Sequence, residues 1–391
     1  MDYLLQMGIT MGFVKKVCSA PYLLLAVLTG FLSGCDVPPN EPATTMSEFI
    51  IGSYAKENEP GIYRLQQDGK TGVLSSLTEL AATPNPSYLA LSANQQSVFA
   101  VNETGNGGVS VFNWQTDKSA LMLVSQLIEL GENPCHISLS PDGTMLAIAN
   151  YSSGDIGLFK IEGANSAQTT LREFTRHQSQ GQGPHERQEA PHMHWVNWSP
   201  DGRFIYSVDL GLDEVKVYEL DGETLLPAKV AIKLQAGDGP RHMVFSLNHE
   251  LAYITNELSN DVVVLKQDST TGLLTEIQRL STLPAEFAGK SQTAAIKLSP
   301  KQDFLYVSNR GLNSIAVYAV DAQGKLSYLQ DQSTGGNWPR DFVISNDGEF
   351  LLVTNQLSND ITVLKRDNKS GLLNATEHKI TVSQPTFISQ L

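Results

Sequence analysis

The chain has 391 residues and a formal net charge of −14, from 41 Asp and Glu against 27 Lys and Arg. That balance disfavours nucleic acid and anionic membrane surfaces as partners, so an anionic substrate would need a local basic patch. The 343 residues after position 48 are enough for two ordinary domains or for one closed ring of repeats.

Residues 1–35 read as a targeting segment, with Lys15 and Lys16 as its positive region and an apolar run through Tyr22, Leu23, Leu24, Leu25, Ala26 and Val27. The run is short of the roughly 20 residues that span a bilayer. It closes on Leu32-Ser33-Gly34-Cys35, which resembles the lipobox of bacterial lipoproteins more than a plain secretory cleavage site. The resemblance makes Cys35 the lipidation site and the mature N-terminus. Residues 36–48, rich in proline and poor in large apolar side chains, form a flexible, semi-rigid tether. Asp36 resembles the signal that retains enterobacterial lipoproteins in the inner membrane. The expected location is therefore the periplasmic side of a bacterial membrane, reached only through the lipid anchor. Losing Asp2, Lys15 and Lys16 with the signal moves the net charge from −14 to −15. Cys18 leaves as well, so Cys135 stands alone in the folded part and no disulfide framework is available.

From residue 49 onward one unit recurs: a short apolar strand, a Ser-Pro-Asp-Gly-like turn, a second strand ending in Asn or Asp, and a third strand. It runs through Pro86–Asn102, Pro134–Asn150, His194–Asp209, Arg241–Asn256, Ala294–Asn309 and Arg340–Asn355. The 343 residues make seven units of 49, a length suited to four strands with loops. The ends complement each other: Gln384–Ser389 matches the first strand of the unit, while Phe49–Tyr54 and Gly61–Leu65 match its second and third. The expected fold is all-β, a seven-bladed β-propeller over 49–391 whose ring is closed by a blade shared between the N- and C-termini. An open solenoid would leave exposed strand edges. The expected state is a monomer.

In a four-stranded blade the start of the first strand, the second-to-third turn and the interblade crossover share one end, so repeat positions become places. The first-strand column reads Ser87, Cys135, His194, Arg241, Ala294, Arg340 and Thr386; its neighbour reads Tyr88, His136, Trp195, His242, Ala295, Asp341 and Phe387. A purely structural column would be apolar, whereas this one concentrates charge and imidazole at the channel. The second strands end in Asn102-Glu103, Asn150-Tyr151, Asp209-Leu210, Asn256-Glu257, Asn309-Arg310 and Asn355-Gln356, where the Asn or Asp can cap the turn and the next residue is free to vary. One crossover, 181–194, carries His185, His192 and His194. These could share a metal, sit in a solvated loop, or line a small-molecule site, and no carboxylate stands at a fixed ligand spacing. No metal or cofactor is expected. Cys135 adjoins His136, and strict strand alternation would send the two to opposite faces, leaving a buried, inert thiol. The chain has no Gly-x-Ser-x-Gly elbow, phosphate-binding glycine loop or His-Glu-x-x-His.

Asn133-Pro134-Cys135-His136, Ser140-Pro141-Asp142-Gly143, Ala149-Asn150-Tyr151, Arg187–His194, Val208–Asp213 and Gly239-Pro240-Arg241-His242 resemble the seven-bladed propeller lactonases. That family is named for 6-phosphogluconolactonase and is similar to a fungal carboxymuconate-lactonizing enzyme. The resemblance implies metal-free hydrolysis of a sugar lactone by a histidine, arginine and glutamate cluster at the propeller mouth. A periplasmic chain widens the substrate range to aldonolactones and other lactones of that compartment. The catalytic candidates are His136, Arg187, His194, Arg241, His242, Glu257 and Arg340. The substrate-binding candidates are His192, Asn150, Asp209, Glu103 and Arg310. A histidine near its ordinary pKa or a partly desolvated Glu257 would be the base, with Arg187, Arg241 or Arg340 at the oxyanion. The rival is a non-catalytic propeller that binds a ligand or a protein partner. A quinoprotein would need repeated tryptophan docking motifs, which are missing.

Overall fold

A computed structural model describes residues 46–163, 170–222 and 224–391. The targeting segment, Cys35 and tether residues 36–45 lie outside the described residues. Met46, Ser47 and Glu48, expected in the tether, already belong to a strand because they pair with Asp68, Gln67 and Gln66.

Seven four-stranded antiparallel sheets make the seven blades of the expected propeller, and the described residues contain no helix. Blade 1 runs through Leu89–Leu91, Ser97–Asn102, Gly108–Trp114 and Leu121–Leu127. Blade 2 takes Pro134–Leu139, Met145–Asn150, Asp155–Glu162 and Thr170–Gln178, and blade 3 takes Met193–Trp198, Ile205–Asp209, Glu214–Tyr218 and Lys229–Lys233. Blade 4 opens at Pro240–Phe245, blade 5 at Gln292–Leu298 and blade 6 at Pro339–Ile344. A two-stranded hairpin, Leu220–Asp221 with Thr224–Leu225, is an addition to blade 3 that the repeat did not announce.

Blade 7 is assembled from both ends. Its first strand, Pro385–Gln390, pairs with Met46–Ser53, which continues into Pro60–Asp68 and Leu74–Ala82. The register sets Ile51 opposite Ile388 and Gly52 opposite Phe387. The second strands are almost wholly buried, Ser97–Asn102 and Ile205–Asp209 along their whole length, because neighbouring blades cover both faces. Apolar clusters accordingly span adjacent blades, such as Phe49, Ile51 and Leu65 of blade 7 with Leu352 and Val363 of blade 6.

Two repeated devices fix the frame. In the Ser-Pro-Asp-Gly turn, Ser140 donates to Asp142 at 2.6 Å and accepts from the Met145 amide at 2.9 Å, and Gly143 supplies the positive φ of 69°. Between blades, a second-strand tyrosine donates to a glycine carbonyl in the next blade: Tyr206 to Gly272 at 2.8 Å, Tyr253 to Gly324 at 3.0 Å and Tyr306 to Gly371 at 2.8 Å. Buried hydroxyls are thus satisfied by the neighbour they hold.

Candidate active site

The first strands do not alternate at their mouth ends. In blade 2 the register shifts between Pro134 and His136, in blade 3 between Met193 and Trp195, in blade 4 between Pro240 and Met243, and in blade 6 between Pro339 and Asp341. Each bulge falls on the column that carries Cys135, His194, Arg241 or Arg340, and a bulge re-aims the side chain it contains. The alternation expected for Cys135 and His136 therefore fails. Cys135 lines the mouth, with Sγ 3.8 Å from Nδ1 of His194 on the next blade. Burial, then Glu103, pushes its thiol far above the usual range, so it is no thiolate.

The mouth holds a pocket of about 160 Å³ walled by Glu103, Cys135, Tyr151, Arg187, His194, Glu257, Arg310 and Arg340, drawn from six blades. Glu257 is its electrostatic centre, paired with Arg187 through Oε1 and, through Oε2, with Arg241 at 3.0 Å and Arg310 at 2.7 Å. Burial alone would raise this carboxyl, but Arg310, Arg241 and Arg187 outweigh it and hold Glu257 well below the ordinary range. It cannot be the partly desolvated base that its position suggested. A second carboxylate, Glu103, accepts from the Tyr54 hydroxyl at 2.8 Å and from Ser87, with Arg340 at 3.7 Å.

His194 is 5% exposed. Burial and then Arg241 drive its pKa well below 6.5, so the ring is neutral at pH 7 rather than near its ordinary midpoint. His242 and Tyr151 stand edge-on to it at 5.3 and 5.5 Å. Beneath the pocket His136 and His242 are buried, their rings 5.5 Å apart, with His136 pushed down to about 3 by burial and Arg241. Arg241 donates toward His242 Nε2 at 3.3 Å and is sealed from solvent. Burial and Arg310 lower its pKa to about 9, still high enough to keep the guanidinium charged at neutral pH. His136, Arg241 and His242 are thus a supporting layer and do not line the pocket.

Other candidates move further back. Asn150 donates to the Leu130 carbonyl at 2.7 Å and to Asp155 at 3.1 Å, and Asp209 accepts from the His192 amide at 2.9 Å and the Leu212 amide at 3.2 Å. Both are turn caps rather than substrate contacts. His192 donates from Nδ1 to the Tyr151 carbonyl at 2.9 Å and stacks on the Tyr151 ring at 4.4 Å. His185 accepts from the Arg187 amide at 3.1 Å and is exposed. The three crossover histidines therefore do not share a centre. Sequence reasoning missed Tyr151, whose hydroxyl accepts from Arg187 at 2.9 Å, because the functional signal of its column is charge, which a tyrosine does not carry.

A sequence signature described as "Lactonase, 7-bladed beta-propeller" matches residues 48–390. The chain belongs to this family. It is 33% identical over 351 residues to a 6-phosphogluconolactonase of Bacillus subtilis, covering 88% of this chain and 99% of the relative. Among solved structures it is similar to a periplasmic gluconolactonase of Pseudomonas aeruginosa, with a TM-score of 0.82 at 32% identity over 89% of this chain and 99% of the other. A protein of Lactobacillus plantarum superposes with a TM-score of 0.80 at 33% identity, covering 89% of this chain and all of the other.

Proposed function

We propose that this propeller lactonase opens a small sugar lactone to its aldonic acid in the mouth pocket. The observation that carries the reading is a neutral, nine-tenths-buried His194 beside three guanidiniums in a cavity of about 160 Å³. Pockets for drug-sized ligands run from about 300 Å³, so this one suits a single ring. The four arginines around it exceed its two glutamates, which gives an acidic protein a locally cationic site. A protein-docking platform would instead present large apolar side chains there.

In the proposed reaction His194 takes a proton from water as the water oxygen bonds to the lactone carbonyl carbon. The carbonyl electrons move onto oxygen, and the oxyanion faces the arginines. Arg187 is the most reachable of them, 34% exposed against 6% for Arg310 and 17% for Arg340. Collapse re-forms the carbonyl and breaks its bond to the ring oxygen, which takes the proton back from His194. Base assistance of this kind is worth about 10² to 10⁴ in rate. Glu257 holds Arg187, Arg241 and Arg310 in place, and Glu103 with Tyr54 holds Arg340.

The periplasmic gluconolactonase similar to this chain and the Leu32-Ser33-Gly34-Cys35 sequence together support a lipid-anchored protein on the periplasmic side of the membrane. The test of the chemistry is a hydrolysis screen of sugar lactones, phosphorylated and not, corrected for spontaneous opening, on wild type and His194→Ala. The expected result is turnover by wild type and a loss of about 10² or more in kcat/KM for the variant. No turnover of any lactone, or an unaffected variant, would return the mouth to a binding role.

A further inference from the structure

Bulges in adjacent blades turn Cys135 and His194 toward each other in the pocket wall. Cys135 Sγ stands 3.8 Å from His194 Nδ1, 3.6 Å from the Met193 carbonyl oxygen and 3.7 Å from the His194 carbonyl oxygen. A thiol has one hydrogen, and carbonyl oxygens only accept. Donated to either of these carbonyls, the single S–H leaves the sulfur lone pairs to face the imidazole. Only an Nδ1 that carries the ring proton can use them.

We propose that Cys135 is a positioning residue that holds neutral His194 in its Nδ1–H tautomer and so presents Nε2 to the pocket as the proton acceptor. The proposal rests on the reading of His194 as the base and supplies what that reading leaves open. A neutral imidazole has one donor and one acceptor nitrogen, and in the opposite tautomer the pocket nitrogen would carry a hydrogen and could not accept one from water. Apart from the backbone of His194 itself, Cys135 is the hydrogen-bond partner of the ring among the described residues, and the second nitrogen has no side-chain partner there although the ring lines the cavity. His242 and Tyr151 fix the plane edge-on and leave the tautomer open. Burial keeps the thiol protonated, so it takes no part as a nucleophile.

The experiment uses the whole protein with ¹⁵N-labelled histidine, the His194 signals being assigned by their loss in His194→Gln. Two-bond ¹H–¹⁵N correlations should show a protonated Nδ1 and a bare Nε2 in wild type. Cys135→Ala should lower kcat on the order of ten-fold at unchanged KM. Cys135→Ser, whose oxygen is the stronger acceptor, should return kcat to within about three-fold of wild type and move the acid limb of the pH profile upward. An Nε2–H tautomer in wild type would overturn the proposal even if Cys135→Ala failed to fold. So would a Cys135→Ala protein with wild-type kcat and pH profile. If His194→Gln turned over like wild type, the base assignment would fall, while the spectrum would still decide the tautomer.

Discussion

Arg241 Nε lies 3.0 Å from Glu257 Oε2 with 2% and 1% of the two side chains exposed, so a buried ion pair ties the pocket-lining Glu257 to an arginine behind the pocket wall. From sequence, Arg241 stood at a channel position and its loss would be expected to affect turnover alone. Burial changes that expectation. Removing one partner of a buried pair typically costs about 3 to 5 kcal/mol, because the other charge loses its compensation. Arg241→Ala should therefore lower the melting temperature by several degrees as well as kcat/KM, and thermal unfolding by circular dichroism checks it. An unchanged melting temperature would mean that Arg187 and Arg310 compensate Glu257 by themselves.

Stability should fall on the acid side of pH 6.5. His136, His194 and His242 are all depressed in the fold, primarily by burial and next by Arg241, with His136 at about 3. Their unfolded counterparts take up protons near 6.5, so the unfolded state binds more protons as pH drops from 6.5 toward the folded values. Glu257 adds to the loss below about 4.5, where its unfolded carboxyl protonates while the folded one stays ionised. Asp209, Asp238 and Asp331 run the other way: burial raises each of them, Asp209 to about 6, so the fold gains from their protonation above their unfolded range. The three depressed histidines, with Glu257, are expected to outweigh them. A urea midpoint measured from pH 8 to 4 should be flat at first and then decline below 6.5, and His136→Leu should make the decline shallower. A midpoint that rose toward pH 5 would contradict the neutral histidine layer.

Repeat offsets carried most of the site. The residue after each second strand and the opening of each first strand fall at the mouth in every blade, which is why Glu103, His194, Glu257, Arg310 and Arg340 were legible and do meet in one pocket, which Arg187 joins from the crossover before blade 3. What could not be read is where a side chain turns once it arrives. Asn150 and Glu103 sit at neighbouring offsets of the same column, yet Asn150 reaches back to the Leu130 carbonyl while Glu103 faces Ser87 and Tyr54. Likewise period-two alternation set Cys135 and His136 on opposite faces, because a bulge adds a residue that the pattern of apolar positions does not register. The depth of His136, Arg241 and His242 is set by the neighbouring blades that bury them, a tertiary property with no local signature.

The anchor is a separate matter from the site. Leu32-Ser33-Gly34-Cys35 motivates acylation of Cys35, and Cys35→Ala should move the protein from the membrane to the soluble fraction without changing lactone turnover. Fatty-acid labelling of wild type but not of the variant checks the chemistry, since one acyl chain alone binds only marginally and stable anchoring needs more than one. Membrane retention of Cys35→Ala with unlabelled wild type would remove the anchor.

Ring closure rests on the last strand. Thr386 Oγ1 is within 3.2 Å of the Gly52 carbonyl and 3.1 Å of the Ser87 carbonyl, so one hydroxyl stitches blade 7 to blade 1, and the Asp341 carboxylate of blade 6 accepts from the Ile388 amide at 3.2 Å. Phe387 packs on Tyr88 with ring centroids 4.6 Å apart. Deleting residues 383–391 would expose the paired edge of Phe49–Ser53 and open Ile51 and Ile50 to water, along with the blade 6 and blade 1 faces they pack on. Because each blade is buried between two neighbours, the loss should spread around the ring, and the truncated protein should unfold cooperatively at a much lower temperature or fail to fold. Thr386→Val keeps the shape and removes only the stitch, leaving buried carbonyls short of a donor, which costs about 1 to 3 kcal/mol. A full-length melting temperature for the truncated protein would mean that blade 7 holds with three strands and that the ring does not depend on its C-terminus.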